Sequence, residues 1–123
     1  MNIVIIRGRL SSEPTVRALQ SGSVLVSLEV TTPDDGAGRS SVPVAWFDPP
    51  RANSVAAWAS GDEVVAVGVV RRRFYRSGGG TQSRTEVVAR SVVKAASSRS
   101  VARLVDEATR CLGEAAAGAL PSE

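Results

Sequence analysis

The strongest constraint on the fold is a pair of long runs, rich in β-branched residues, on either side of a glycine-rich turn. Residues 62–76 read DEVVAVGVVRRRFYR, residues 81–94 read TQSRTEVVARSVVK, and SGGG lies between them. β-Branched side chains favour strands, and a glycine-rich segment between two such runs favours a hairpin. The sequence therefore predicts two long antiparallel strands joined by a flexible tip.

Shorter runs of the same kind precede this hairpin. Residues 2–10, 15–19, 24–31 and 41–47 are predicted strands, and residues 33–40 form a polar loop. In the third run Val24, Val26, Leu28 and Val30 fall on one face, because alternate residues of a strand share a face. Several short strands in succession predict a small β-barrel, and the pattern alone leaves an ordinary β-sandwich open.

A short helix is predicted between the fourth strand and the long hairpin, within residues 48–60. Asp48 is the expected N-cap, Pro49 is expected in the first turn, and Gly61 is the expected stop. Trp58 falls on the apolar side of this helix, which predicts a core residue.

A second, amphipathic helix is predicted over residues 98–113, outside a barrel domain of residues 1–95. The C-terminal segment is residues 96–123, and its last part, residues 115–123, is expected to fray. Helical spacing predicts that the apolar face packs on the barrel or on a second subunit, and that Cys111 on it is an inert buried thiol. The face consists of Val101, Leu104, Val105, Ala108, Cys111 and Leu112.

Composition excludes several functions. The 123 residues suit one small domain, and they include no histidine and a single cysteine. Catalysis with a histidine base, a His-ligated metal, a cysteine-rich zinc site and an intramolecular disulfide are therefore excluded. We expect no enzyme activity, no cofactor and no bound metal. No apolar run is long enough to span a membrane and MNIVIIRGRL lacks the layout of a signal peptide, so the expected location is cytoplasmic.

The positive charge is concentrated in one segment. The chain has a net charge of +3, and residues 71–90 carry six arginines against the single carboxylate of Glu86, a net charge of +5. Arginine suits phosphate contacts and stacking on bases better than lysine does. A polyanionic partner is therefore compatible with the sequence, although charge alone does not require one.

The segment RRRFYR, residues 71–76, combines this charge with aromatic rings. Strand alternation places Arg71, Arg73 and Tyr75 on one face and Arg72, Phe74 and Arg76 on the other. Proteins bind single-stranded nucleic acids with such groups, since cations follow the phosphates while rings stack on bases of any sequence. A solvated basic hairpin with one ring in the core is the structural alternative.

Several blocks of the chain resemble the bacterial single-stranded DNA-binding protein family, in the same order over residues 1–94. They are MNIVIIRGRLSSEP, SGSVLVSLEVTT, and the long block from VPVAWF through the Gly61-Asp62 pair and the basic-aromatic hairpin to Thr85-Glu86-Val87. The resemblance implies a five-stranded OB-fold Greek-key barrel with one helix between strands, mostly β with little α. It also implies a homotetramer or dimer that coats unpaired DNA in replication, repair and recombination.

The resemblance also implies binding residues. A family stacking ring at the end of the strand before the helix matches Phe47, or Trp46 after a one-residue slip, although Trp46 alternates with Val42 and Val44 as a core residue would. A second stacking position in the hairpin matches Tyr75. The predicted stacking residues for bases are Phe47 and Tyr75, and the predicted phosphate contacts are Arg71, Arg73, Arg76 and Arg84. The other predicted nucleic-acid-binding residues are Phe74, Trp46, Arg7 and Arg9, with Arg17 as a further contributor.

The chain departs from the family in two places. Residues 33–42 contain no aromatic residue, where the family has a further ring, and Ser41 stands where a ring is common. The chain ends in LPSE rather than in an acidic tip, so we expect no recruitment of repair proteins by that route. An alternative function therefore stays open, namely an OB-fold protein-interaction module of a primosome or repair assembly, with nucleic acid as a secondary ligand.

Overall fold

The computed structural model describes residues 2–33, 36 and 38–118. Six strands and two helices lie close to the positions that the sequence predicts. The C-terminal residues LPSE lie outside the described part of the chain. The elements are β1 (Val4–Leu10), β2 (Thr15–Ala18), β3 (Val24–Thr32), β4 (Ser40–Phe47), α1 (Ala52–Ala56), β5 (Glu63–Ser77), β6 (Gly80–Lys94) and α2 (Ser98–Gly118).

The strands form one sheet that curls into a barrel, in the order β1-β5-β6-β4-β3-β2, with an additional pairing of β1 to β3 that closes it. All pairings are antiparallel except that of β4 with β6, where Val44 lies opposite Val87. The predicted OB-fold is confirmed. The sheet has one strand more than the five that the family resemblance implies. The additional strand is the short exposed β2, which the residue pattern predicts over 15–19 and which adds to the edge of β3.

The barrel interior is filled by alternate side chains of every long strand. Leu10, Val26, Val30 and Val64 are fully buried. The predicted inward face of β3 is confirmed, since Leu28 is also buried and the partly buried Val24 packs against the same hydrophobic core. Burial of such side chains is the main favourable term in the stability of a small domain.

Two glycines allow strands to approach closely in this barrel. A Cβ atom on Gly68 would collide with the carbonyl oxygen of Val88 and would lie 2.8 Å from the Cα of Ala89. A Cβ atom on Gly8 would collide with the carbonyl oxygen of Thr31. Glycine is therefore required at both positions by the packing of backbone against backbone.

We expect Gly68→Ala to lower the free energy of unfolding by about 1–3 kcal/mol, because the new methyl group has to displace backbone atoms. Gly80→Ala is a matched control, since a Cβ atom there meets nothing within 4 Å and Gly80 lies in the same hairpin. Urea unfolding of the two variants measures the difference. If the two variants were equally stable, the close approach of the strands at Gly68 would not require glycine.

The predicted start of α1 is wrong. Asp48 does not cap the helix, which begins at Ala52 after Arg51, a residue with left-handed backbone and no side-chain cap bond. Instead the Asp48 carboxylate accepts a hydrogen bond from the backbone N–H of Val24 at 2.8 Å. The Asp48 N–H donates to the Val24 carbonyl at 2.7 Å, so this residue ties the end of β4 to the start of β3.

Both tryptophans belong to the core. Trp46 is 4% exposed, and its ring lies 6.3 Å from the ring of Trp58, centroid to centroid. The prediction that Trp58 packs in the core is confirmed. Side chains alternate along β4, so Trp46 faces inward while its neighbour Phe47 faces outward. A base cannot reach the Trp46 ring, and the prediction that Trp46 is a stacking residue is therefore wrong.

Helix α2 packs on the outside of the barrel, which is one of the two predicted arrangements, the other being packing on a second subunit. Leu104 and Ala108 form a second core cluster with Val65 and Val67 of β5. Cys111 is only partly buried, which corrects the predicted buried thiol, and it accepts a hydrogen bond from the Arg90 guanidinium at 3.0 Å. No helix in the described part of the chain is both long and apolar enough to cross a membrane.

Candidate nucleic-acid interface

A groove crosses the outer face of the barrel, and no residue of α2 lines it. Side chains of β2, β3, β4, β5 and β6 line it, and the outward-facing residues of neighbouring strands meet there because of their pairing register. We call it the groove throughout. Its lining includes Thr15, Leu25, Ser27, Glu29, Pro43, Ala45, Phe47, Arg73, Arg84 and Glu86.

Phe47 provides the aromatic surface of the groove. It is the last residue of β4, lies opposite Leu25 of β3, and has a side chain that is 39% exposed. Its neighbour Trp46 points into the core, so alternation along the strand turns the Phe47 ring outward. A large apolar side chain with this exposure inside a groove is available for contact with a flat ligand.

Arg71 and Arg73 of β5 share a buried carboxylate at the edge of the groove. Glu86 of β6 is 4% exposed, and its two oxygens lie 3.4 Å from Nη2 of Arg71 and 3.5 Å from Nη2 of Arg73. Both arginine side chains are 48% exposed. Each guanidinium therefore has one edge on Glu86 while its other N–H groups face the solvent.

Arg84 is the third arginine of the groove and faces a second carboxylate. Its Nη2 lies 4.0 Å from Oε2 of Glu29, while the hydroxyl of Ser41 donates to Oε1 of Glu29 at 2.9 Å. Three arginines and two glutamates thus meet here, which leaves a net charge of +1. This local charge is much smaller than the net +5 of the whole segment suggests.

The other arginines of the hairpin lie elsewhere. Arg90 points toward α2, with Nε 4.0 Å from Oε1 of Glu107. Arg72 and Arg76 alternate with Arg71 and Arg73 on β5 and therefore lie on the opposite face of the hairpin. The structure accordingly separates Arg76 from the other three predicted phosphate contacts, Arg71, Arg73 and Arg84.

The two hairpin rings are both exposed, and they lie on opposite faces. Tyr75 is 44% exposed on the face that carries Arg71 and Arg73, whereas Phe74 is 64% exposed on the other face. Neither ring enters the core, so the structural alternative of a buried hairpin ring does not hold.

The predicted contributors near the N-terminus do not line the groove. The Arg7 guanidinium pairs with Glu63 at 3.3 Å, and its hydrogen bonds lower the pKa of that carboxyl. Arg9 donates to the carbonyl of Gly61 at 3.0 Å and lines a separate cleft. Arg17 of β2 lies opposite Leu25, at the margin of the groove.

Sequence reasoning missed the role of the two carboxylates. Glu86 entered the prediction as a charge to subtract and as part of a block of family resemblance, yet it forms ion pairs with two arginines. The hairpin register contains the signal: Ser77 pairs with Gly80, so counting back along both strands sets Arg71 opposite Glu86. Opposite charges at directly paired positions stabilise a sheet.

Comparison with known proteins adds evidence on the fold. No protein-family model matches the chain, and no curated protein matches it either. Among solved structures, the chain is similar to the wild-type single-stranded DNA-binding protein from Thermus aquaticus, with 19% identity and a TM-score of 0.62. The match covers 76% of this chain and 40% of the Thermus chain, so this chain spans less than half of that protein's length.

At this level of identity the likeness is one of fold. The chain has the architecture of an OB-fold protein, with a basic, partly aromatic groove across the outer face of its barrel. Membership of the bacterial single-stranded DNA-binding protein family remains a prediction from the sequence blocks.

Proposed function

We propose that the chain binds single-stranded DNA in the groove without preference for sequence. The observation that carries this proposal is the exposed ring of Phe47 in a groove that also holds Arg73 and Arg84. Guanidinium groups beside a flat ring match the two parts of a nucleotide, because the phosphate takes the cation and the base stacks on the ring. Neither contact reads the edge of a base.

The ring also favours a single strand over a duplex. A base can stack on Phe47 only after it has left the stack of a double helix, which costs free energy in a paired strand. The DNA preference is supported by the fold, since the similar Thermus protein is a single-stranded DNA-binding protein.

Titration of a fluorescently labelled oligo-dT, followed by anisotropy, tests this proposal. Tryptophan fluorescence is an unsuitable reporter because Trp46 is 4% exposed and Trp58 packs against the same core cluster. We expect the affinity to fall with salt with a log–log slope of roughly −0.7 per neutralised phosphate, which for the two groove arginines and Arg71 at its edge is about −2. Equal affinity for a duplex of the same length, or no binding at low salt, would refute the proposal.

The wider role that we propose is protection of unpaired DNA in replication, repair or recombination, by a cytoplasmic homotetramer or dimer. The ordered blocks of resemblance in the sequence and the likeness to the Thermus fold support it. Light scattering with and without a dT 35-mer measures the number of chains in the particle. A monomer in both conditions would remove the oligomer from the proposal.

The protein-interaction module is the alternative, and it depends on α2. The helix uses Leu104 and Ala108 on the barrel, while Leu112 is 49% exposed. Truncation of the helix would uncover Val65 and Val67, so Leu112→Glu is the better probe. If this variant no longer bound its protein partner but still bound oligo-dT, the result would favour the alternative.

A further inference from the structure

The long hairpin has a second exposed face, opposite the one that carries Arg71, Arg73 and Tyr75. Its residues are cross-strand pairs of β5 and β6, and none of them lines the groove. We call it the back face. It consists of the pairs Arg72–Thr85, Phe74–Ser83 and Arg76–Thr81.

The back face is open to solvent along its whole length. All six side chains are exposed, and Phe74 at 64% is more exposed than Phe47 or Tyr75. The guanidinium carbon of Arg72 lies 5.9 Å from the centroid of the Phe74 ring. A cation at this distance from a ring is weakly attracted to it, which favours one orientation of the pair. The ring therefore stands beside a cation without being covered by apolar neighbours.

The charge of the back face differs from that of the groove. Its six residues include two arginines and no carboxylate, a net charge of +2, whereas the groove carries +1. Within the described residues, neither Arg72 nor Arg76 forms an ion pair. The three partners on β6 are all hydroxyl residues, and these donate hydrogen bonds to phosphate oxygens in nucleic-acid complexes.

The dimensions restrict the kind of ligand. From Arg72 to Arg76 the strand rises by about 13 Å, and the face is two strands, or about 5 Å between strand axes, in width. A stable protein–protein interface buries about 800 Å² on each partner, which a ribbon of this width cannot supply. A single polynucleotide strand needs only a narrow path of cations, donors and a stacking ring.

We infer that the back face is a second binding surface for single-stranded nucleic acid, which a strand reaches by passing from the groove around the edge of the hairpin. The inference rests on the proposed function of the groove. Phosphates meet Arg72, Arg76 and the hydroxyl groups, and a base stacks on Phe74. Oligonucleotides too short to leave the groove do not use this surface, whereas longer ones occupy both.

The test compares oligo-dT of increasing length on the double variant Arg72→Gln/Arg76→Gln. Short oligonucleotides should bind within about twofold of wild type. Long ones should bind at least about tenfold more weakly, with a salt slope that is less steep by about 1.4, because two phosphate contacts are lost. The control is Arg99→Gln/Arg103→Gln, which removes the same charge from exposed positions of α2.

Three results would overturn the inference. The first is an equal loss for the hairpin and α2 variants. The second is an equal loss at all oligonucleotide lengths in the hairpin variant. The third is a protein that binds an oligo-glutamate peptide through Arg72 and Arg76 but binds oligo-dT equally well without them. That result would assign the back face to an acidic protein partner. Failure of the proposed function is distinguishable, because the wild-type protein would then bind no oligo-dT at low salt or would bind a duplex of the same length equally well.

Discussion

Replacement of Phe47 by alanine should weaken binding of oligo-dT by about fivefold to a hundredfold and leave the fold intact. The ring is 39% exposed and belongs to the groove rather than to the core, so its removal opens no cavity. Loss of one stack between a base and an aromatic side chain costs about 1–3 kcal/mol, and 1.4 kcal/mol corresponds to a tenfold change in affinity. Anisotropy titrations at one fixed salt concentration measure this change.

Two control variants separate stacking from general effects. Phe47→Tyr retains a ring and should bind within about threefold of wild type. Leu112→Ala truncates an apolar side chain of comparable exposure, 49%, on α2 and should bind as wild type does. If Phe47→Ala were no weaker than Leu112→Ala, Phe47 would not be a stacking residue.

The inward and outward positions of β4 illustrate what the sequence can predict. Val42, Val44 and Trp46 alternate with exposed or groove-facing residues, and the structure places Val44 and Trp46 in the core. The alternation of side chains along β4 is therefore enough to predict that Phe47 faces outward. The same reasoning identifies the buried face of β3, because in each case a residue's environment depends on its own strand.

The face of Arg84 and Glu86 could not be predicted in this way. Counted along β6 in steps of two, Arg84 and Glu86 fall in line with the core residue Val92, and regular alternation would therefore place them on the inner side. The pairing steps from Val67–Ser91 to Gly68–Ala89, so Arg90 has no residue opposite and the faces of β6 exchange beyond it. An irregularity of this kind depends on how two strands fit together, and a single strand does not show it.

Asp48 failed as a predicted helix cap for a related reason. Its sequence context, before two prolines and a helix, favours an N-cap. In the fold its carboxylate lies closer to the N–H of Val24, which is distant in sequence. A local preference worth about 1 kcal/mol is easily overridden by a partner that only the tertiary structure supplies.

Removal of Arg71 and Arg73 together should destabilise the protein as well as weaken DNA binding. Glu86 is 4% exposed, and the double variant Arg71→Gln/Arg73→Gln would leave its carboxylate without either cation. Loss of the partner of a fully buried charge costs about 3–5 kcal/mol. Since both arginines are 48% exposed and water can partly replace them, we expect a loss of about 2 kcal/mol.

Addition of Glu86→Gln to this double variant separates the two roles of the arginines. The triple variant has no buried charge to compensate, so urea unfolding should show most of the lost stability restored. Its affinity for oligo-dT should stay low, because the phosphate contacts are still missing. A triple variant as unstable as the double one would show that Glu86 is not the source of the instability.

The single variant Glu86→Gln completes the argument, since it keeps both arginines and releases them from their carboxylate. The net charge of the groove rises by one, so the affinity for oligo-dT should increase at low salt. The salt slope should become steeper by up to about 0.7, as one more cation becomes free for a phosphate. An affinity below that of wild type in a fully folded variant would instead mean that Glu86 serves mainly to orient Arg71 and Arg73, and that orientation outweighs charge in this groove.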